Sequence, residues 1–225
     1  MAFNDDRARC VWNVGALLGE GPVWDARDGA VWFVDIETPA IHRYRLADDA
    51  HRSWTPPFRV TALWPRAAGG FVAHSERGFL IADPVAGRYE LFHATEPGQP
   101  GNRSNDGKID AAGRFWSGTM DDSKLAASGA LYRLDPDRRV HRIDDGYRIT
   151  NGPAFSPDGR IMYHTDTIAR TVYAFDVAVA QRDEVHDVIL RTSASRCRSR
   201  RGPRPRTARR PGGARPPCRD RPPPR

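Results

Sequence analysis

The chain has 225 residues, enough for a substantial apolar core, and 39% of them are hydrophobic. Its formal net charge of +7 is unevenly distributed: residues 191–225 hold 13 Arg, no Lys and one acid, which leaves 22 basic and 27 acidic side chains in the rest. A nucleic-acid-binding function can therefore rest only on the last segment. No apolar run in the sequence reaches the roughly 20 residues of a membrane-spanning helix.

Residues 11–190 are predicted to be all-β. Short runs rich in aromatic and β-branched side chains are separated by turn residues, and no stretch carries a helical stripe with caps. The predicted strands, in chain order, are Val31–Asp35, Ile41–Leu46, Phe71–His74, Phe79–Ile81, Tyr89–Phe92, Arg114–Thr119, Ala130–Leu134, Val140–Ile143, Ile161–His164 and Thr171–Val177.

A repeat of four units organises these strands. Four turns each precede a predicted strand: Asp28-Gly29, Gly69-Gly70, Ala112-Gly113 and Asp158-Gly159. The glycines at the second position of these turns lie 41, 43 and 46 residues apart along the chain. A period in the forties with about four strands per unit is typical of a β-propeller, whereas a sandwich would not require the unit to recur. We therefore predict a β-propeller with an incomplete ring of about four blades.

A polar segment of the third unit, residues 102–120, concentrates side chains that can do chemistry. Arg103, Asn105, Asp106 and Asp110 precede a strand-like run, and Asp106-Gly107 is predicted to be a turn. An amide oxygen beside carboxylates suits a hard cation with oxygen ligands, and an arginine suits a polar or anionic substrate. Two hairpin turns built from ordinary turn residues would explain the same segment.

Three motifs occur in one order along the chain. They are Gly19-Glu20-Gly-Pro-Val-Trp24 with Phe33-Val-Asp35-Ile36, then Arg103-Ser-Asn105-Asp-Gly-Lys-Ile-Asp110 with Gly118-Thr-Met120, then Thr150-Asn151-Gly-Pro-Ala-Phe-Ser-Pro-Asp-Gly159. In order and spacing they resemble the SMP-30/gluconolactonase/regucalcin (LRE-like) family. The resemblance covers roughly residues 12–190 and implies a six-bladed β-propeller, of which this chain contains about four units.

The resemblance also implies roles for four residues. Glu20 and Asn151 would be metal ligands, and Arg103 and Asn105 would contact the substrate. The implied cofactor is a divalent cation, Ca²⁺ in the first place, with Zn²⁺, Mg²⁺ or Mn²⁺ as alternatives, and the implied substrate is a sugar lactone. From the residues alone, Glu20 would be a solvated loop residue and Asn151 an Asx-turn residue. Because both open a repeat unit, we expect both to point towards the central channel from one end.

Structural explanations suffice for the other acidic residues. Asp106 and Asp110 are expected to be turn and strand-edge groups. Asp35 and Asp166 end equivalent strands, which indicates a shared structural role, with a place beside the channel left open. No HxH or HExxH spacing supports a histidine-built zinc site, and no Gly-x-Ser-x-Gly supports a serine hydrolase.

The last segment, residues 191–225, holds 13 Arg and 8 Pro. It has too few apolar side chains to offset its chain entropy, so we expect it to be disordered, and its composition is typical of out-of-frame sequence. The family pattern would continue after Leu190 with a unit that carries a third metal-binding carboxylate, also the expected general base. No such segment follows Leu190, so no catalytic residue is assigned.

The leading functional prediction is a cytoplasmic, gluconolactonase-like hydrolase that depends on a metal and is impaired by loss of this carboxylate. The alternative is a non-catalytic calcium-binding protein on the same scaffold. Nucleic-acid binding through the Arg-rich tail is a third hypothesis, weakened because no aromatic residue interleaves with the arginines. No membrane partner is expected. Four units cannot close a six-unit ring, so we also expect self-association through open edges.

Overall fold

The computed structural model describes residues 8–178 and 185–186. Within that range it consists of β-strands joined by turns, and no helix is long and apolar enough to cross a membrane. The strands are β1 (Gly19–Asp25), β2 (Ala30–Asp35), β3 (Ala40–Arg45), β4 (Ala50–Trp54), β5 (Val60–Pro65), β6 (Phe71–Ser75), β7 (Gly78–Asp83), β8 (Arg88–Ala94), β9 (Asn102–Ile109), β10 (Phe115–Asp121), β11 (Gly129–Leu134), β12 (Val140–Tyr147), β13 (Thr150–Phe155), β14 (Ile161–Asp166), β15 (Thr171–Asp176) and β16 (Val185–His186).

Four antiparallel sheets of four strands each follow one another along the chain: β1–β4, β5–β8, β9–β12 and β13–β16. Each sheet is one blade, here numbered one to four. The first strands of neighbouring blades, β1, β5, β9 and β13, contact one another and so line the centre of the arrangement. The predicted all-β propeller of about four units is confirmed.

The sequence patterns predicted the outer strands of the blades better than the inner ones. Each of the ten predicted runs overlaps an observed strand, but none covers the four inner strands β1, β5, β9 and β13, nor the outermost strands β4 and β16 of two blades. Three of the four inner strands, β1, β9 and β13, each contain three or more Gly, Pro, Asn or Asp residues, which favour turns by composition. Contacts with neighbouring blades keep them extended, so tertiary packing overrides local preference.

The predicted turn at Asp106-Gly107 is wrong, because β9 runs straight through both residues. Gly107 pairs with Ser117 of β10. A Cβ at Gly107 would lie 2.8 Å from the Ser117 Cβ and 2.9 Å from Phe115 Cε2. The glycine is therefore required by the close approach of neighbouring side chains and not by a chain reversal.

An apolar cluster fills each space between neighbouring blades. Full burial of one large apolar side chain contributes about 1.5–3 kcal/mol, so these clusters hold the blades face to face. Representative buried members are Trp32, Ile41, Leu63 and Phe71 between blades one and two, Phe79, Phe115 and Tyr132 between blades two and three, and Trp116, Leu131, Met162 and Phe175 between blades three and four.

Two buried aspartates fix the entry of the chain into a blade. The Asp35 carboxylate accepts hydrogen bonds of 2.9–3.1 Å from four backbone N–H groups, those of Leu17, Leu18, Glu37 and Thr38. Burial alone would raise the pKa of Asp35, but these bonds lower it below its ordinary value. Asp166 accepts equivalent bonds in blade four, from Arg148, Ile149 and Ala169. Both residues thus have the structural role that their positions predicted.

The contacts between residues divide the chain into residues 1–191 and residues 192–225. The second unit lies outside the described residues. The predicted disorder of residues 191–225 therefore stays a prediction.

The face of blade four that is turned away from blade three carries two exposed apolar side chains, Ile161 and Tyr163. Both point away from Met162, which is buried against blade three. We expect the chain to self-associate through this face at micromolar concentration, and Tyr163→Glu to favour the monomer, as measured by light scattering. Leu91→Glu, which changes an exposed residue of blade two, is the matched control. A monomeric wild-type chain would contradict this expectation.

Candidate metal and substrate site

The four residues predicted to bind metal or substrate lie at one end of the inner strands. Glu20 is the second residue of β1 and Asn151 the second residue of β13, while Arg103 and Asn105 lie near the start of β9. Since each inner strand opens a blade of the same connectivity, the starts of these strands share one end of the centre. Hydrogen bonds connect Arg103, Asn105 and Asn151, and Glu20 lies within electrostatic range of Arg103.

Two asparagines connect blade three to blade four. Buried Asn105 donates from Nδ2 to the Thr150 carbonyl at 2.7 Å and to Asn151 Oδ1 at 3.0 Å. Asn151 in turn donates from Nδ2 to Thr167 Oγ1 at 2.7 Å. These bonds fix the orientation of both amides, and the Asn151 oxygen keeps a second lone pair for a further partner.

Arg103 is a buried guanidinium, 2% exposed, with acceptors on two of its nitrogens. Nε donates to Asp122 Oδ1 at 2.6 Å, and Nη1 donates to Asn105 Oδ1 and to the Ser104 carbonyl, both at 2.8 Å. A buried charge is costly unless it is paired and hydrogen-bonded, so these contacts make its burial tolerable. No hydrogen bond to another described residue uses Nη2, which leaves this nitrogen for a ligand.

Glu20 and Asp106 concentrate negative charge beside these polar groups. Burial raises the pKa of the Glu20 carboxyl above its ordinary value, and the nearby charge of Asp106 raises it further. The Arg103 guanidinium and the N–H of Gly21 lower that pKa, but they do not offset the increase. The Asp106 carboxylate accepts bonds of 2.8 Å from the backbone N–H groups of Gly107 and Gly152.

Asp106 and Asp110, both predicted to be turn or strand-edge groups, differ in the structure. Asp110 is buried and accepts hydrogen bonds from Arg114 Nε at 2.6 Å and Trp116 Nε1 at 2.9 Å, which secures the β9–β10 turn. Asp106 instead lies within β9, where it binds the entry of β13 and repels Glu20. Asp106 therefore belongs to the candidate site, whereas Asp110 has the structural role expected of it.

The side-chain oxygen atoms at this end are suitable ligands for a hard divalent cation. The carboxylates of Glu20 and Asp106 and the amide oxygen of Asn151 are ligand types that Ca²⁺ takes. Burial first, and then the charge of Asp106, raise the pKa of Glu20, and a bound cation would favour its ionised form. Across residues 8–178 and 185–186, no group of three or more His, Cys, Asp or Glu side chains is arranged to hold an ion. The segment that would carry the third carboxylate does not follow Leu190 in the sequence, where Asp220 is the one acidic residue of 191–225, and those residues lie outside the described ones.

Two charged residues to which the sequence assigned no role support the site. Asp122 follows β10 and accepts hydrogen bonds from Arg103 Nε at 2.6 Å and from Arg59 Nη2 at 2.8 Å. Arg59, just before β5, also donates to Glu76 Oε2 at 2.7 Å. The acidic pair after Gly118-Thr-Met120 was visible in the sequence, but which of its members meets an arginine depends on how blades two and three pack.

Sequence similarity to known proteins covers most of the described residues. A family model described as "SMP-30/Gluconolactonase/LRE-like region" matches residues 18–195. The chain is 36% identical over 172 residues to a regucalcin of Danio rerio, covering 76% of this chain and 58% of that protein. It is 30% identical over 171 residues to a 6-deoxy-6-sulfogluconolactonase of Pseudomonas putida, covering 76% of this chain and 59% of the relative.

The fold is similar to solved structures. The crystal structure of a calcium-binding protein, regucalcin, from Agrobacterium tumefaciens matches with a TM-score of 0.71 and 28% sequence identity. That match covers 79% of this chain and 62% of the other. The chain thus spans 58 to 62% of the length of these relatives.

Proposed function

The chain belongs to the SMP-30/gluconolactonase/LRE-like family, and from this premise we propose that its inner-strand site binds a sugar lactone and hydrolyses it with the help of a divalent cation. One observation carries the proposal. Arg103, Asn105 and Asn151 form a fixed chain of hydrogen bonds beside the carboxylates of Glu20 and Asp106. Donors for an oxygen-rich substrate thus lie next to oxygen ligands for a cation.

Arg103 and Asn105 orient the lactone in this proposal. The Arg103 guanidinium is held by Asp122 and Asn105, so little conformational entropy is lost when Nη2, which bonds to no other described residue, meets a substrate oxygen. The same nitrogen can bind the carboxylate that forms when the lactone ring opens. Because neighbouring groups hold this donor in place beforehand, the site is organised before the substrate arrives.

Glu20 and Asn151 would hold the cation, with Asp106 supplying further negative charge. Ca²⁺ is the proposed ion, with Zn²⁺, Mg²⁺ and Mn²⁺ as alternatives. When bound, such an ion polarises a carbonyl oxygen and lowers the pKa of a water molecule. The general base of the family pattern is a carboxylate in a segment that does not follow Leu190 in this sequence, and loss of a general base costs ~10²–10⁴-fold in rate. We therefore expect slow hydrolysis by the chain as written.

Arg103→Lys tests the proposal. Lysine keeps the charge but cannot bind Asp122 and Asn105 through separate nitrogens, so we expect kcat/KM for gluconolactone to fall by about 10-fold or more. The assay is hydrolysis during a titration with CaCl₂, and Arg88→Lys, at an exposed ion pair of blade two, is the control. Equal rates for Arg103→Lys and Arg88→Lys would contradict the role of Arg103.

Calcium binding without catalysis is the second candidate. It is favoured by the names of two relatives, a regucalcin and a calcium-binding protein. The same titration separates the two functions, because a binding protein would take up calcium and leave the lactone intact. A cytoplasmic location stays a prediction.

A further inference from the structure

Arg59 lies before β5, away from the residues assigned to the candidate site, but its side chain is held between two carboxylates. Nε donates to Glu76 Oε2 at 2.7 Å, and Nη2 donates to Asp122 Oδ2 at 2.8 Å. The backbone N–H of Glu76 also donates to the Arg59 carbonyl at 3.0 Å, so this pair is fixed to blade two. Arg59 therefore reaches from blade two to an acid of blade three.

Asp122 receives a different arginine on each of its oxygens. Oδ1 accepts from Arg103 at 2.6 Å, and Oδ2 accepts from Arg59 at 2.8 Å. Burial alone would raise the pKa of Asp122, but the two guanidinium groups lower it. The Asp122 side chain is still 37% exposed, so neighbouring residues leave it room to rotate. Each arginine opposes that rotation, because turning the carboxylate would break one charge-assisted bond.

Arg103 depends on this carboxylate. Asp122 is its ion-pair partner among the described residues, and the Arg103 side chain is only 2% exposed. With Nε held by Asp122 and Nη1 held by Asn105, the plane of the guanidinium is determined. If Asp122 rotated away, one of these two fixed points would be lost, and the direction of Nη2 with it.

We propose that Arg59 is a positioning residue for the candidate site: by holding one oxygen of Asp122, it fixes the carboxylate that orients the Arg103 guanidinium. The identity of the ligand, a sugar lactone, rests on the proposed function above. The orientation of Arg103 is a property of the chain itself and can be measured with no ligand present.

Three variants of the full chain separate the possibilities. Arg59→Met keeps an extended side chain but removes both charge-assisted bonds. Arg59→Lys keeps the charge, but its single ammonium cannot span Glu76 and Asp122 as the planar fork does. Arg88→Met is the matched control, since it removes the Arg88–Asp83 ion pair of the same blade at a position 77% exposed and remote from the site.

The first measurement is solvent exchange of the Arg103 Nε proton by NMR, with the signal assigned by its disappearance in Arg103→Lys. We expect slow exchange in the wild type and in Arg88→Met. Exchange should be about 10-fold faster or more in Arg59→Met, the change expected when one charge-assisted hydrogen bond is lost, and intermediate in Arg59→Lys. Identical exchange in Arg59→Met and Arg88→Met would overturn the proposal.

The second measurement is steady-state hydrolysis of gluconolactone. A positioning role predicts that KM rises by about 10-fold in Arg59→Met, that kcat changes less, and that Arg59→Lys recovers part of the loss. Faster proton exchange with an unchanged KM would overturn the link to substrate. Faster exchange without turnover in any variant, the wild type included, would support the positioning of Arg103 and refute the lactonase function.

Discussion

Glu20→Gln is expected to weaken calcium binding and, at the same time, to raise the melting temperature of the metal-free protein. The two effects have one cause. The carboxylate is partly buried and lies near the negative charge of Asp106, so its ionised form is unfavourable until a cation neutralises it. Glutamine removes that charge and one anionic ligand together. We expect the loss of affinity to reach at least the ~10–100-fold that removal of an outer-shell partner of a metal produces.

The pH dependence follows from the direction of the Glu20 shift. Its pKa in the folded protein lies above the ordinary value of 4.5. Its contribution to stability is therefore fully present below the ordinary pKa and is lost as the pH rises through the raised pKa. At neutral pH the ionised group destabilises the metal-free protein, and calcium binding weakens as acid protonates the carboxyl. In Glu20→Gln both dependences should diminish.

Calorimetric titration with CaCl₂ and thermal unfolding in chelator measure the two effects of Glu20→Gln. Glu37→Gln is the matched control, because Glu37 is an exposed glutamate of blade one that follows β2 at the same end. An unchanged calcium affinity in Glu20→Gln would remove Glu20 from the ligand set. A melting temperature lower than that of the control would show that the carboxylate is satisfied by groups within the protein.

The repeat period predicts individual contacts between blades as well as the fold. Hydrogen bonds between blades two and three join residues 43 apart, as in Thr61–Ser104 and His74–Ser117. Between blades three and four the spacing is 46, as in Asn105–Asn151. These are the glycine spacings of the sequence repeat, because equivalent positions of neighbouring blades lie side by side around the centre. The meeting of Asn105 with Asn151 could therefore be predicted from periodicity.

The remaining contacts of the site depart from this period. Arg59 and Asp122 are 63 residues apart, and Arg103 and Asp122 are 19 apart, so neither pair occupies equivalent positions. Their meeting depends on the path of the turn after β10 and on the length of two arginine side chains. The alternation of apolar residues in the sequence predicts neither the path of this turn nor the reach of these side chains. The motifs could identify Arg103 as a candidate, but they could not identify what holds it in place.

Gly129→Ala is expected to be among the most damaging single substitutions in the part of the chain that the structure describes. A Cβ at this position would lie 2.2 Å from the Thr119 carbonyl oxygen and 2.9 Å from the Tyr147 carbonyl oxygen. Both atoms are backbone, one in β10 and one in β12, so relief requires two strands to move apart. Overpacking of this kind costs about 3 kcal/mol, at the upper end of the usual range. For a chain of this size the melting temperature should fall by roughly 6–12 °C.

The same substitution should reach the candidate site, because β10 pairs Met120 with Arg103 and leads directly into Asp122. We therefore expect Gly129→Ala to lower kcat/KM for the lactone even well below its melting temperature. Gly98→Ala is the control: its new Cβ would meet nothing within 4 Å, and it should be neutral or stabilising by about 0.4–1 kcal/mol. Thermal unfolding and the lactone assay compare the two variants. A melting temperature of Gly129→Ala within a degree or two of that of Gly98→Ala would contradict this prediction. It would mean that β10 and β12 move apart at far lower cost than close-packed strands do.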